Sequence, residues 1–219
     1  LRKFAESNSL TGGGMGNEPS ILEWTCFNPT GMRWVKPEFG LGIIFEERQG
    51  DKGVRGRAAA RLCLSRLTDG RETDPAKDLR GAPTSPHGYL SLSHTRGAAA
   101  AAFDPARPVG IDVEKIVPGR VTEVYQKFMS DDERQRFETT NDAAFFFSVW
   151  SVKEAMFKIV NRYMDEVSFR KELRVDAEFY VSGKGKGFCV RPGFEMEMEL
   201  WRTFVDDYVF CGAALVGVP

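Results

Sequence analysis

Three carboxylates, two lysines and a histidine-centred cluster are the side chains of this chain whose types and spacing could do chemistry. Asp112 and Glu114 lie two apart in "VGIDVEK" (109–115). On a strand both would face one side. Glu154 follows in "WSVKEAMFK" (150–158). Two strand acids and one helix acid make an oxygen-rich site of the kind Mg2+ takes, with water and phosphate oxygens completing its shell. The alternative is two solvated acids on an edge strand and a surface Glu154 paired with Lys158 one turn on. Lys158 and Lys153 could grip phosphate as point charges; a solvated helix face is the other reading. Lys153 falls in the aromatic stripe of Trp150 and Phe157, where it must snorkel outward or meet an anion. Ser93, His94, Thr95 and Arg96 together offer two hydroxyls, an imidazole and a guanidinium to a dianionic phosphate, or His94 is a structural hydrogen-bonding residue. A Ser93–His94 nucleophilic pair is disfavoured, because adjacent strand residues point to opposite faces. Lys52, Arg57 and Arg61 form a basic group that reads as phosphate-binding or as plain surface charge. Glu133 is a candidate general base, or only the far half of a capping box begun by Ser130.

The elements that must position these residues can be read from period and punctuation. "GLGIIFEE" (40–47) reads as a strand. "VRGRAAARLCLSRL" (54–67) reads as a helix, with Arg57 and Arg61 at i, i+4 on one side. Residues 69–88, rich in Asp, Pro and Gly, read as a loop. "GYLSLSH", the turn at "TRG" and "AAAAAF" read as two strands, although five alanines suit a helix equally; "PVGIDVEK" is a third strand. "VTEVYQKFMSDDERQRFETT" carries helix signals. "DAAFFFSVWSVKEAMFKIVNRY" is the strongest helix pattern, its apolar face running through Phe146, Val149, Trp150, Met156, Phe157 and Val160. Residues 173–216, including "LRVDAEFYV", read as strand-like segments separated by glycine turns. The order strand–helix–strands thus occurs twice. The expected fold class is α+β, in pseudo-symmetric halves, each a small antiparallel sheet on a long helix with the site between them. The expected division is a flexible tail or expression remnant at 1–19, an N-terminal half at 20–115 and a C-terminal half at 116–219.

Composition removes several function classes. With 30 basic and 31 acidic residues the formal net charge is −1, so no global field favours nucleic acid or an anionic membrane. Any anionic ligand must be held by local charge. Cys26, Cys63, Cys189 and Cys211 form no CxxC, and with two histidines their spacing does not suggest zinc. They read as reduced thiols of a cytoplasmic protein. No apolar run approaches a membrane span, and Arg2 and Lys3 are followed by no apolar signal core.

The order and spacing of these motifs resemble the 4′-phosphopantetheinyl transferase superfamily. Its paired signature is V/I-G-I/V-D and, about 40 residues on, F/W-S/C/T-x-K-E-A/S-x-x-K. Here it is met by Val109, Gly110, Ile111 and Asp112, then by Trp150, Ser151, Lys153, Glu154, Ala155 and Lys158. "LSLSHTRG" is similar to the family's S-H-S/T segment, and "FMSDDE" to its F-x-S-x-x-E segment. The length resembles the surfactin-type class, in which one monomeric chain holds two α/β halves with coenzyme A between them. The resemblance implies Mg2+-dependent, or Mn2+-dependent, transfer of the phosphopantetheine arm of coenzyme A to a serine of an apo carrier protein (acyl, peptidyl or aryl), releasing 3′,5′-ADP. It implies Asp112, Glu114 and Glu154 as metal ligands, Lys158 on the leaving phosphate with Lys153 in support, and Glu133 as base. Ser93, His94 and Arg57, with Lys52 and Arg61, would take the 3′-phosphate. It also implies a carrier contact along 116–145. Two features depart from the pattern: Ala82 stands in "GAP" where Lys or Arg is common, and "NRYMDEVSF" replaces a glycine-rich turn. The competing readings are a non-catalytic coenzyme A or carrier-binding module, which would not need Asp112, Glu114, Glu154 and Lys158 together, and a Mg2+-dependent phosphohydrolase, which no motif favours.

Overall fold

The computed structural model describes residues 32–37, 40–46, 54–120 and 123–217. Lys52, Cys26 and the segment 1–19 lie outside the described residues. In chain order the strands are β1 (Arg33–Val35), β2 (Gly40–Ile44), β3 (Ala76–Lys77), β4 (Pro83–Thr84), β5 (Tyr89–Thr95), β6 (Ala98–Asp104), β7 (Val109–Lys115), β8 (Leu173–Val175), β9 (Lys184–Arg191), β10 (Phe194–Val205) and β11 (Tyr208–Leu215). The helices are α1 (Val54–Leu67), α2 (Tyr125–Phe128), α3 (Asp131–Thr140), α4 (Ala143–Val160) and α5 (Ala177–Ser182). Two antiparallel sheets result, in the orders β1-β2-β6-β5 and β7-β11-β10-β9-β8; β3 and β4 form a separate small hairpin. The fold is mixed α and β, as expected from the sequence.

The hydrogen-bonding order repeats. In β2-β6-β5, a strand leads to a long helix and then a hairpin, whose second strand inserts beside the first. The same holds for β7-β11-β10. β7 pairs with β11 from Val109 to Lys115, so a division that follows the hydrogen bonds falls before β7, not after it at 115/116.

Two-sided burial decides the five alanines of β6. Ala99 and Ala101 join the core under α1 with Cys63 and Leu64. Ala98, Ala100 and Ala102 join the core between the sheets with Ile111 and Phe210. Only a methyl group fits on a strand covered this closely on both faces, and alternation of period 2 shares the methyls between the two cores. A third core packs α4 on the second sheet through Val149, Val152, Met156, Met198 and Leu200.

The sheets meet at β5 and β7 without a backbone ladder. The hydroxyl of Ser91 accepts from the Ile111 N–H at 3.1 Å and that of Ser93 from the Val113 N–H at 3.3 Å. Serines at alternate positions of β5 satisfy amides that would otherwise be buried and bare.

Three sequence expectations change, the first being that residues 69–88, which read as a loop, contain the β3–β4 hairpin. "DAEFYV" forms α5 rather than strand. Its Phe179 and Tyr180 are both buried, and Gly183, at φ 80°, ends it in the left-handed conformation. The helical stretch 121–140 is broken at Met129 and Ser130. There Ser130 caps α3 with the expected reciprocal bonds to Glu133.

Candidate active site

β7 presents Asp112 and Glu114 to α4, and a glycine makes that approach possible. A Cβ at Gly110 would come within 1.9 Å of the Ala155 carbonyl oxygen, so only glycine lets α4 lie this close to β7. Glu154 and Lys158 are thereby brought beside Asp112. Lys158 Nζ donates to Asp112 Oδ1 at 2.9 Å and to the Ile111 carbonyl at 2.7 Å. Ser93 Oγ donates to the same Oδ1 at 2.7 Å. The other oxygen, Asp112 Oδ2, is buried with no hydrogen-bond partner. Glu114 accepts from Trp150 Nε1 at 3.2 Å and from the Thr95 hydroxyl at 3.4 Å.

The Asp112 carboxylate disfavours charge on both of its acidic neighbours. Burial first, then the Asp112 carboxylate, push Glu114 up to about 7. The same two causes raise Glu154 above the usual carboxylate range. Such a site gains from added positive charge. Among the described residues, however, no three histidine, cysteine or carboxylate side chains stand close enough together to hold an ion. The expected three-ligand set is therefore not ready-assembled; Glu114 is held by Trp150 and Thr95 instead. The donor chemistry still fits a hard divalent cation: all oxygen, one buried orphan at Asp112 Oδ2, and two further carboxylates coupled to it.

A cleft of about 370 Å³ opens beside this point, between α1, the β3–β4 hairpin, β5 and the end of α4. Arg57, Arg61, Lys77, Arg80, Lys158 and Arg162 line it with His94, against one acid, Asp74. In a chain of net charge −1 this is the local concentration of positive charge that an anion needs. His94 sits against α1 where Gly56 leaves room for it; a Cβ there would lie 2.8 Å from the imidazole Nδ1. Burial, then the charges of Arg57 and Lys158, hold its imidazole below the usual histidine value. Arg61 lines the cleft but is paired with Asp74 at 2.7 Å. Ser93 does not line it: its hydroxyl serves Val113 and Asp112, which corrects its expected place on a 3′-phosphate. Sequence reasoning missed Lys77, Arg80 and Arg162. The first two lie in what reads as a featureless loop. Arg162 had a signal in its i, i+4 spacing from Lys158.

Glu133 and Lys153 are corrected together. Lys153 is fully buried. Its amine donates to Glu133 Oε2 at 2.6 Å, the Phe128 carbonyl at 2.8 Å and the Phe169 carbonyl at 3.1 Å, which uses all three donors. Glu133 is 6% exposed; it also accepts from Tyr180 Oη at 2.6 Å and the Ser130 N–H at 2.7 Å. Neither residue lines the cleft, and the three Lys153 donors are all taken within the protein. They form an internal clamp that ties α3, α4 and α5.

Residues 108–204 match the family model described as the 4′-phosphopantetheinyl transferase superfamily. The chain is 36% identical over 80 residues to the 4′-phosphopantetheinyl transferase psf-1 of Bacillus pumilus, covering 35% of this chain and 34% of that protein. It is 29% identical over 79 residues to a 4′-phosphopantetheinyl transferase of Bacillus subtilis, again 35% and 34%. The chain thus matches about a third of the length of either relative. Among solved structures, the Thermotoga maritima holo-[acyl-carrier-protein] synthase aligns with TM-score 0.33 and 18% identity, over 49% of this chain and 61% of that one. The stretch that matches the family model, residues 108–204, is the one that carries Asp112, Glu154 and Lys158.

Proposed function

We propose that the protein is a surfactin-type 4′-phosphopantetheinyl transferase, moving the phosphopantetheine arm of coenzyme A to a serine of an apo carrier protein. One observation carries the reading: a polybasic cleft is lined by Lys158, and Lys158 pairs with Asp112, whose Oδ2 is buried and unpartnered beside two raised carboxylates. The cleft suits the phosphates of coenzyme A, and the acid end suits its diphosphate with a cation. Asp112 Oδ2 and Glu154 would hold that ion, joined by Glu114 once it turns from Trp150. A bound Mg2+ or Mn2+ would neutralise the diphosphate oxygens.

In the transfer, the serine oxygen bonds to the phosphorus that carries the pantetheine arm, and its proton passes to a site carboxylate or to water. The bond from that phosphorus to the bridging oxygen breaks, and 3′,5′-ADP leaves with the oxygen. Lys158, already beside Asp112, is positioned to meet charge on the leaving phosphate. His94 and Arg57 face the nucleotide end, where a 3′-phosphate would draw a proton onto the imidazole. Such a reaction rests on in-line positioning and charge neutralisation more than on covalent help.

Acid site and basic cleft occur in one chain, which supports a monomer. Among the described residues no helix is long and apolar enough to cross a membrane, which fits a cytoplasmic location. The test is incubation with coenzyme A, Mg2+ and apo carrier proteins of several kinds. A carrier mass gain of one phosphopantetheine arm, abolished by chelator, is expected. Coenzyme A binding with no mass gain on any carrier would favour the non-catalytic module, for which the unassembled ligand set argues.

A further inference from the structure

The cations of the cleft differ in what they face. Lys158 is paired with Asp112 at 2.9 Å, Arg80 with Asp165 at 3.0 Å and Arg61 with Asp74 at 2.7 Å. Arg57 and Lys77 are exposed to water. Arg162 is half-buried and has no carboxylate within ion-pair distance among the described residues. Its Nη2 donates to two neutral oxygens, the carbonyls of Leu90 at 2.9 Å and Pro83 at 3.3 Å. Its Nε–H is buried without a partner. The Tyr89 ring lies 5.7 Å from the guanidinium.

These contacts hold Arg162 in place before any ligand arrives. It follows the end of α4 and reaches out to β4 and β5. Arg80 crosses in the opposite sense, from the β3–β4 turn to the Asn161 carbonyl at 2.9 Å. The Asp78 carboxylate acts on Arg162 only from beyond ion-pair distance, and a half-buried guanidinium whose hydrogen bonds all go to carbonyls is electrostatically incomplete. A phosphate completes it, because the guanidinium fork and the phosphate oxygens match in shape and charge. Lys158, four residues before Arg162, lines the same cleft and pairs with Asp112, where the transferred phosphorus belongs under the reading above.

We infer that Arg162 binds a phosphate of the adenosine 3′,5′-bisphosphate half of coenzyme A, and so determines specificity for the nucleotide end of the substrate. This rests on the coenzyme A reading. It is tested by calorimetric titration of 3′,5′-ADP and, separately, of 4′-phosphopantetheine. The proteins are the wild type, Arg162→Gln, Arg162→Lys, and Arg162→Gln combined with Ala82→Lys. Arg162→Gln weakens 3′,5′-ADP about tenfold, about 1.4 kcal/mol, and 4′-phosphopantetheine by less than about twofold. Arg162→Lys falls between the wild type and Arg162→Gln, because it keeps the charge and loses the fork. Lysine at 82, where Ala82 lines the same cleft, recovers most of the loss. A variant that merely loosened the helix end would weaken both ligands alike and gain nothing from a lysine at 82; that result overturns the assignment, as does unchanged 3′,5′-ADP binding in Arg162→Gln. A wild type that binds neither 3′,5′-ADP nor coenzyme A overturns the coenzyme A reading itself, and this inference with it.

Discussion

Asp112 carries two burdens on one carboxyl group. Its Oδ1 takes Ser93 and Lys158, and its Oδ2 is buried and bare. Asp112→Asn keeps the shape and removes the charge. Transfer should fall by about a hundredfold or more, the scale seen when a preorganised electrostatic group is lost, while the thermal midpoint stays close to wild type. Divalent-cation affinity, read by calorimetry in the presence of coenzyme A, should fall with it. Retained turnover and retained cation affinity would remove Asp112 from the ion. Glu114 adds a pH dependence. Its folded pKa of about 7 lies above the ordinary 4.5, so the folded state favours the neutral form. Its contribution to stability is full below pH 4.5 and is lost as pH rises through about 7, by 2–3 kcal/mol at most, roughly. The unliganded thermal midpoint should therefore decline across that window. Glu114→Gln should flatten the decline, and so should saturating Mg2+ with coenzyme A. A slope that Glu114→Gln leaves intact would assign the effect elsewhere. Strand alternation for Asp112 and Glu114 and helical spacing for Glu154 and Lys158 could be read from sequence; that the three acids do not stand together as a ready ligand set could not. Nor could the places of Lys153 and Ser93, because the direction in which a polar side chain turns depends on partners distant in sequence, here Glu133 and Val113.

At the scale of elements, Lys153, Glu133 and Tyr180 act as a buried joint between helices. Burial lowers the affinity of Lys153 for its proton, an effect the Glu133 carboxylate opposes, and raises that of the Tyr180 phenol well above the usual value. Removing one partner leaves a charge buried without compensation. Lys153→Met or Glu133→Gln alone should each cost about 3–5 kcal/mol by denaturant unfolding. The double variant should recover a large part of that loss. Its turnover per folded molecule should stay near wild type, since neither side chain lines the cleft; a double variant that folds well and is inactive would restore a chemical role to the pair. The long helix α4 was readable from its aromatic period; the Asp142 side chain that caps it came from the structure. The capping box of α3 was readable because both ends of the interaction lie within one turn. α5 was not, since "AEFYV" has the composition of a strand and becomes helical because Phe179 and Tyr180 are both drawn inward. β6 was ambiguous until the sheets on either side of its alanines were known.

For the whole molecule the deciding feature is the seam between sheets. Its hydrogen bonds run through the hydroxyls of Ser91 and Ser93, and the second of these also touches Asp112. The joint that holds the sheets together thus shares an atom with the proposed active site. The alternate serines of "LSLS" could be read from sequence as one face of a strand; that they replace a ladder between two sheets depends on a partner strand about twenty residues on. The two positions can be separated by experiment. Ser91→Ala and Ser93→Ala each bare one buried amide, and each should lower stability by about 1–3 kcal/mol. Ser91→Ala leaves Asp112 untouched but Ser91 lines the cleft, so its divalent-cation affinity should follow the folded fraction while coenzyme A binding is free to change. Ser93→Ala frees Asp112 Oδ1 from one of its two donors. Coenzyme A turnover and divalent-cation affinity should then change beyond what the loss of stability accounts for. Equal divalent-cation affinity per folded molecule in both variants would mean that the seam supports the fold alone, and that Asp112 is oriented by Lys158 without help from the first sheet.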